Sequence, residues 1–270
     1  MKKLKLILVF ICSFVATGFA QKDSAFRYIK SIKGNFTAFT VDNLDNIFLI
    51  TSSNQLKKLR SNGDSGGIYN DVKRYGNPTL IDVSNPLKIL IYYRNYSTVV
   101  VLDRFLNMRN TIDFRKQNIF SVTTIATAYD NNIWLFDEQD YKLKKIDEEG
   151  KQQLETVDIR FLLNEAISPT QLIDRDNYIY LYDAEKGFYI FDYYGAYKNK
   201  LTFTGWSNTE VNGTTLYGFK ENKLEMYQLN SLSLKEYPLP AFFGNYLSIK
   251  VMNGKLYLLQ KDGIDIYEVN

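Results

Sequence analysis

A short apolar run recurs six times along this chain at a nearly constant spacing. The clearest copy is IWLF, residues 133–136. In chain order the copies begin at Ile47, Ile89, Ile133, Ile179, Leu216 and Leu256, which are 42, 44, 46, 37 and 40 residues apart. A period near 40 residues with several short strands per unit is typical of a β-propeller blade. The repeat therefore predicts an all-β fold, a six-bladed β-propeller.

Turn-forming residues precede most copies of the run. They are Asp45-Asn46, Asp130-Asn131-Asn132, Asp176-Asn177, Asn212-Gly213 and Asn253-Gly254. Asn and Asp tolerate a left-handed backbone and Gly adopts it freely, so these residues predict tight hairpins between the first two strands of a blade. Asn85-Pro86 departs from the pattern and predicts a different turn. We interpret the acidic residues at these turns as turn formers and not as catalytic carboxylates.

The two ends of the repeat region predict how the ring closes. The sixth unit ends at Asn270 just after its third strand, so it lacks a fourth. Residues 26–32, ahead of the first unit, have the composition of a strand, and an open ring would leave an unpaired edge. We expect this N-terminal strand to close the last blade and residues 21–270 to form a single propeller domain. Residues 66–76 and 107–120 are irregular and leave a seventh blade open.

The first twenty residues predict a secretory signal peptide. Lys2, Lys3 and Lys5 precede an apolar run over residues 6–15, which is followed by small residues ending at Ala20. A membrane anchor is the alternative, but the run is shorter than the roughly 20 apolar residues that a span needs. We therefore expect cleavage before Gln21, a periplasmic protein and no direct insertion into the membrane.

Composition excludes several classes of function. The chain contains no His, and its single Cys, Cys12, lies in the predicted signal peptide. Sites and catalytic triads that use imidazole or thiolate groups are therefore excluded from the mature chain. Three of the 33 basic residues and none of the 30 acidic residues fall in residues 1–20, so the remainder is neutral. This balance predicts no nucleic-acid partner.

No catalytic motif emerges from the sequence. Residues 64–67 (DSGG) are too short for a phosphate-binding loop and precede no predicted helix. We predict a protein without enzymatic activity and without a cofactor, and we assign no metal ligands. Calcium held by oxygen ligands in the channel stays an open alternative, which would suit a calcium-dependent hydrolase.

Large apolar and charged residues fall in loops that one face of a propeller would collect. These are the connections between blades and the loops between second and third strands. The candidate partner-binding residues are Arg94, Tyr96, Asp140, Tyr141, Phe161, Leu162, Trp206, Phe242 and Phe243. Such residues are typical of a protein-binding rim. One alternative is that the apolar ones fold back between the blades, and another is a glycan-binding module that uses Tyr96 or Tyr141.

Three segments resemble a family of extracytoplasmic propellers from Bacteroidota. They are the MKK leader ending in Phe19-Ala20-Gln21, residues 85–89 (NPLKI) and residues 131–137 (NNIWLFD). The resemblance implies a role as the periplasmic plug subunit of the type IX protein-secretion translocon. The implied partner is an outer-membrane translocon barrel, and the implied location is the inner face of the outer membrane.

Overall fold

The strands of this protein form six four-stranded antiparallel sheets arranged in a ring. A computed structural model describes residues 25–269, so the predicted signal peptide and Gln21 lie outside the described residues. The first strands of neighbouring sheets contact each other around the whole circle, as a propeller requires. The predicted six-bladed β-propeller is confirmed. Residues 66–76 and 107–120 form no seventh blade, because they contain the fourth strands of blades 1 and 2 and the connections that follow them.

In blades 1 to 5 the four strands follow chain order from the channel to the rim. In blade 6 the rim strand is instead the first strand of the described chain. Blade 1 contains β2 (Phe36–Val41), β3 (Ile47–Thr51), β4 (Leu56–Leu59) and β5 (Ser65–Tyr69). Blade 2 contains β6 (Leu80–Asn85), β7 (Lys88–Tyr93), β8 (Thr98–Asp103) and β9 (Met108–Asp113). Blade 3 contains β10 (Val122–Thr127), β11 (Ile133–Asp137), β12 (Lys142–Ile146) and β13 (Gln152–Glu155). Blade 4 contains β14 (Gln171–Arg175), β15 (Tyr178–Asp183), β16 (Gly187–Asp192) and β17 (Tyr197–Leu201). Blade 5 contains β18 (Ser207–Asn212), β19 (Thr215–Lys220), β20 (Lys223–Gln228) and β21 (Ser233–Pro238). Blade 6 contains β22 (Ser248–Met252), β23 (Lys255–Gln260), β24 (Gly263–Val269) and, at its rim, β1 (Phe26–Lys33).

Blade 6 joins the two ends of the described chain. Strand β1 pairs antiparallel with β24 from Phe26 opposite Val269 to Lys33 opposite Gly263. The pairing gives β24 a neighbour on its outer side, so blade 6 has four strands like the others and β1 is its rim strand. The predicted closure by the N-terminal strand is therefore confirmed.

The six apolar runs form the second strands of the blades. Every residue of β3, β7 and β11 is buried, because the neighbouring blades cover both faces of these strands. Strand β4 alternates instead: Leu56 and Lys58 are buried and their neighbours are partly exposed. The third strands β8 and β16, in contrast, are buried over all but their last residue. Burial on both faces explains why the repeat is strongest at the second strand.

Close packing explains why a glycine interrupts the apolar run of blade 5. Gly218 lies in the middle of β19, and a methyl group there would overlap the indole ring of Trp206. The break in the fifth apolar run, LYGF, thus makes room for a tryptophan from the connection before the blade.

The hairpins between first and second strands follow the predicted turn chemistry. Asp45, Asn131 and Asn253 have positive φ angles of 61°, 64° and 50°. Blade 2 differs: Asn85 has no positive φ, and its side-chain oxygen accepts a hydrogen bond from the Leu87 N–H at 3.0 Å. The different turn predicted for Asn85-Pro86 is present.

The ring has two unlike faces. The connection face carries the blade-to-blade connections and the loops between second and third strands, whereas the turn face carries the other hairpins. All helical segments of the described chain lie on the connection face: α1 (Val72–Tyr75), α2 (Ile159–Leu163) and the 3₁₀ turns Arg94–Tyr96, Phe114–Gln117 and Ala241–Phe243. Over residues 25–269, no helix has the length and apolarity to cross a membrane.

Candidate binding surfaces

Helix α2 presents two apolar side chains to solvent on the connection face. The Asp158 carboxylate accepts a hydrogen bond from the Arg160 N–H at 2.9 Å and so caps the first turn. Ile159 is fully buried between blades 3 and 4 and anchors the helix. Phe161 consequently points outwards with 87% of its surface exposed, beside the half-exposed Leu162.

The loop between β11 and β12 supports α2 from below. The Ile159 N–H donates to the carbonyl oxygen of Tyr141 at 2.8 Å. The Arg160 guanidinium lies 4.3 Å from the centre of the Tyr141 ring and also binds Asp158, which holds the pKa of that carboxyl below its usual range. Asp140 binds the ammonium of Lys144. Tyr141 therefore supports the helix that carries Phe161 and Leu162, whereas Asp140 is paired within its own blade.

The 3₁₀ turn Ala241–Phe243 separates two adjacent phenylalanines. Phe242 is 66% exposed, whereas Phe243 is 2% exposed and packs against Phe26 and Tyr267 at ring-centre distances of 5.5 and 4.7 Å. Phe242 is available to a partner at the connection between blades 5 and 6, and Phe243 anchors the turn.

Trp206 also lies inside the ring and not on its surface. It is 3% exposed, and its indole N–H donates to the Glu225 carboxylate at 2.7 Å. Its ring stacks on Phe203 at 4.6 Å. For Trp206 and Phe243 the structure favours the alternative in which loop residues pack between the blades.

Arg94 and Tyr96 lie on the connection face of blade 2. The Arg94 guanidinium donates to the carbonyl oxygen of Thr123 at 2.6 Å and so links blades 2 and 3. Tyr96 is exposed and contacts Tyr75 edge-on, with ring centres 5.8 Å apart. Both side chains are held by neighbours and remain accessible.

Three exposed apolar residues of this face escaped the sequence analysis. They are Phe120, Val157 and Leu247, each in a blade-to-blade connection. Phe120 follows Ile119 and Leu247 follows Tyr246, whereas Val157 lies between Thr156 and Asp158, so no common periodic pattern marks each exposed residue. An apolar side chain in a connection is the only signal that would have identified it.

The turn face has an apolar arc of its own. Leu44, Leu87 and Tyr129 occupy the hairpins between first and second strands in three successive blades, and all three are exposed. Tyr194 is exposed in the turn between β16 and β17. The sequence predicted these turns only as structural hairpins, although an apolar tip in a hairpin rich in Asn and Asp is unusual.

The central channel contains a cavity of about 400 Å³ lined by the first strands of all six blades. Its carboxylates are engaged by protein groups. Asp82 accepts a hydrogen bond from the Thr127 N–H at 2.6 Å, and Glu210 forms an ion pair with Lys250 at 2.8 Å. Among residues 25–269, no cluster of three or more acidic side chains is arranged to hold a metal ion.

Asp174 holds an aromatic pair at the turn-face end of the channel. It accepts hydrogen bonds from the Tyr129 N–H at 3.3 Å, the Trp134 indole N–H at 3.1 Å and the Tyr193 hydroxyl at 3.2 Å. The rings of Tyr129 and Tyr193 stack with centres 4.2 Å apart. Burial raises the pKa of Asp174 to about 6.

Solved structures similar to this chain are propellers of mixed function. The Cps50 (Swd1) β-propeller domain of Myceliophteria thermophila has a TM-score of 0.61 at 10% identity, covering 91% of this chain and 100% of that one. Virginiamycin B lyase from Staphylococcus aureus with quinupristin has a TM-score of 0.60 at 12% identity, covering 91% and 89%. The Pan2 WD40 domain of Neurospora crassa has a TM-score of 0.59 at 10% identity, covering 87% and 82%.

Sequence comparison adds no family to this likeness. No protein-family model matches the chain, and no curated protein matches it. At identities of 10% to 12%, the likeness to solved structures supports the fold alone.

Proposed function

We propose that this protein is a non-enzymatic periplasmic propeller that binds a protein partner through its connection face. In its most specific form, the proposal is a plug that closes the periplasmic opening of the type IX protein-secretion translocon. The observation that carries partner binding is the exposure of Phe161 and Phe242 on short helical turns whose neighbouring residues are anchored in the core. Exposed aromatic residues on rigid supports are typical energetic centres of protein interfaces.

Two further observations support binding over hydrolysis. The channel carboxylates Asp82 and Glu210 are paired with protein groups, so neither is placed as a free acid or base. The connection face is also preformed, because hydrogen bonds cap α2 and link blades 2 and 3. A plug needs such a rigid surface, because it must bind the opening non-covalently and be released again.

The leader and the family resemblance support the location and the partner. Residues 1–20 have the pattern of an exported chain, and the mature composition is neutral. A propeller in the periplasm would reach an outer-membrane barrel from the periplasmic side of the membrane. The plug role rests on the resemblance, whereas the binding face rests on the exposed aromatic residues.

Affinity capture with matched surface variants tests this proposal. The tagged full chain is captured from native envelopes after cross-linking, beside Phe161→Ala and Phe242→Ala. Tyr194→Ala, an exposed aromatic residue of the turn face, is the control. Recovery of the translocon barrel should fall about tenfold or more in the first two variants, since interface anchors contribute upwards of about 1–2 kcal/mol. The control should resemble the wild type.

A permeability assay separates a plug from any other partner. Cells that lack the protein should take up a large hydrophilic antibiotic, and removal of the translocon barrel should abolish that uptake. Capture without an outer-membrane protein would contradict the translocon barrel as the partner. Unchanged permeability would contradict the plug while leaving a binding role in place.

A further inference from the structure

A second cavity of about 320 Å³ opens on the turn face at the mouth of the channel. It is formed by residues at the ends of the first strands of blades 1 to 4 and by the hairpins that follow them. The residues that concern its chemistry are Asn43, Asn85, Thr127, Tyr129, Arg175 and Asp176. We call this cavity the turn-face cleft.

The cleft contains two polar side chains without a protein partner. The Nε atom of Arg175 is buried and makes no hydrogen bond, and the guanidinium forms no ion pair with any residue of the described chain. Thr127 is almost fully buried, and its hydroxyl also has no partner. Both are the last residues of their strands, β14 and β10, so they lie at the same level of the ring. Buried polar groups are nearly always paired, and two unpaired ones lining one cavity indicate a ligand.

One wall of the cleft is aromatic and rigid. Tyr129 is 66% exposed, and one face of its ring is covered by Tyr193. The Tyr193 hydroxyl is fixed in turn, because it donates to Asp174 and accepts from the Asn177 N–H at 3.1 Å. The free face of Tyr129 is thus a preformed platform for the C–H groups of a ligand.

Charges around the cleft discriminate between ligand classes. Arg175 is cationic, and Asp176 next to it is exposed and makes no ion pair or hydrogen bond within residues 25–269. An anionic ligand would face Asp176 and the buried Asp174, whereas a cationic ligand would face Arg175. A neutral ligand that carries both donors and acceptors would satisfy both charges without bringing one of its own.

We propose that the turn-face cleft binds a neutral saccharide. A sugar ring would stack on the free face of Tyr129, while its hydroxyl groups accept from Arg175 and donate to Asp176. A further hydroxyl would pair with the Thr127 side chain. The cavity volume is within the range of small-ligand pockets and accommodates one or two sugar rings.

A glycan array of neutral and acidic oligosaccharides, probed with the full chain, tests this proposal. We expect binding to at least one neutral saccharide, with a signal that falls about tenfold or more in Tyr129→Ala and in Arg175→Ala. Tyr194→Ala, which removes an exposed tyrosine of the same face outside the cleft, should bind like the wild type. Circular dichroism and urea unfolding check that each variant is folded. Because Tyr129 is a surface residue, its variant keeps the test valid if Arg175→Ala fails to fold.

Three results would overturn the proposal. The first is an array with no bound saccharide, and the second is binding that survives Tyr129→Ala. The third is displacement of the ligand by millimolar sodium acetate or inorganic phosphate, which would assign the cleft to anions. Capture of a partner through Phe161 is measured on the opposite face, so the outcome here is independent of it.

Discussion

Replacing Asp174 with asparagine should remove a pH-dependent loss of stability from the propeller. Asp174 is 8% exposed, and burial raises its pKa from 3.8 to about 6. The folded state therefore binds the proton more tightly than the unfolded state does, and protonation favours folding. The stability contributed by this group falls as the pH rises from about 4 to about 6 and is constant outside that window. About two pKa units at 1.36 kcal/mol each give a total of about 3 kcal/mol.

The asparagine variant keeps the hydrogen bonds of the site. One carboxylate oxygen, Oδ2, accepts from both the Trp134 indole and the Tyr129 N–H, and the other, Oδ1, accepts from the Tyr193 hydroxyl. An amide oxygen in the first position retains two bonds, and the amide NH₂ in the second donates to the Tyr193 oxygen. The ionisation is lost and the Tyr193 hydrogen bond reverses its direction, while the contacts to Trp134 and Tyr129 are unchanged.

Urea unfolding at a series of pH values between 4 and 8 measures the effect. Above pH 6, Asp174→Asn should be more stable than the wild type by about 3 kcal/mol, and the difference should approach zero near pH 4. Asp176→Asn removes an exposed carboxylate two residues away and should show no such difference curve. A wild type that gains stability over Asp174→Asn as the pH rises would refute the reasoning, and so would a difference independent of pH.

Two further substitutions test the packing of the ring. Gly263→Ala would place a methyl group against the backbone at the end of β1, at φ +152°, and should cost about 3–5 kcal/mol in urea unfolding. Gly254→Ala, where no atom lies within 4 Å, isolates the strain of a positive φ at about 1–2 kcal/mol; equal losses would contradict the predicted overlap. Lys144→Ala leaves the buried Asp137 without its ammonium partner and should cost about 3–5 kcal/mol. Lys142→Ala, which removes a partly exposed ion pair, should cost about 1 kcal/mol or less, and a similar loss in both variants would contradict this assignment.

The fold was predictable because every blade places the same burial and turn requirements on its sequence. Each second strand is buried on both faces, so an apolar run returns in every blade. The hairpin before it takes a positive φ in every blade but the second, so Asn, Asp or Gly returns there as well. The closing strand followed from the missing fourth strand of the last unit. These signals are local, and a single sequence records them.

The binding surfaces were predictable only in part. Phe242 and Phe243 are neighbours in the same connection, yet one is exposed and the other is buried by Phe26, which is more than two hundred residues away in the chain. No local pattern distinguishes them. The turn-face cleft was missed for the same reason, since Arg175 and Thr127 come from different blades and meet only after the ring has closed.

The pairing between β1 and β24, the seam of the ring, also has a consequence for folding. Its partners are the most distant in the described chain, as the ion pair between Arg27 and Glu268 illustrates with a separation of 241 residues. Contacts of such range form slowly, because the loop between them must be ordered first. Strand β1 can pair only when β24, at the other end of the described chain, is present, so blade 6 cannot be completed from either end alone. We therefore expect the pairing of β1 with β24 to be the last to form. Until it forms, the unpaired edges of both strands are accessible to proteases and folding factors.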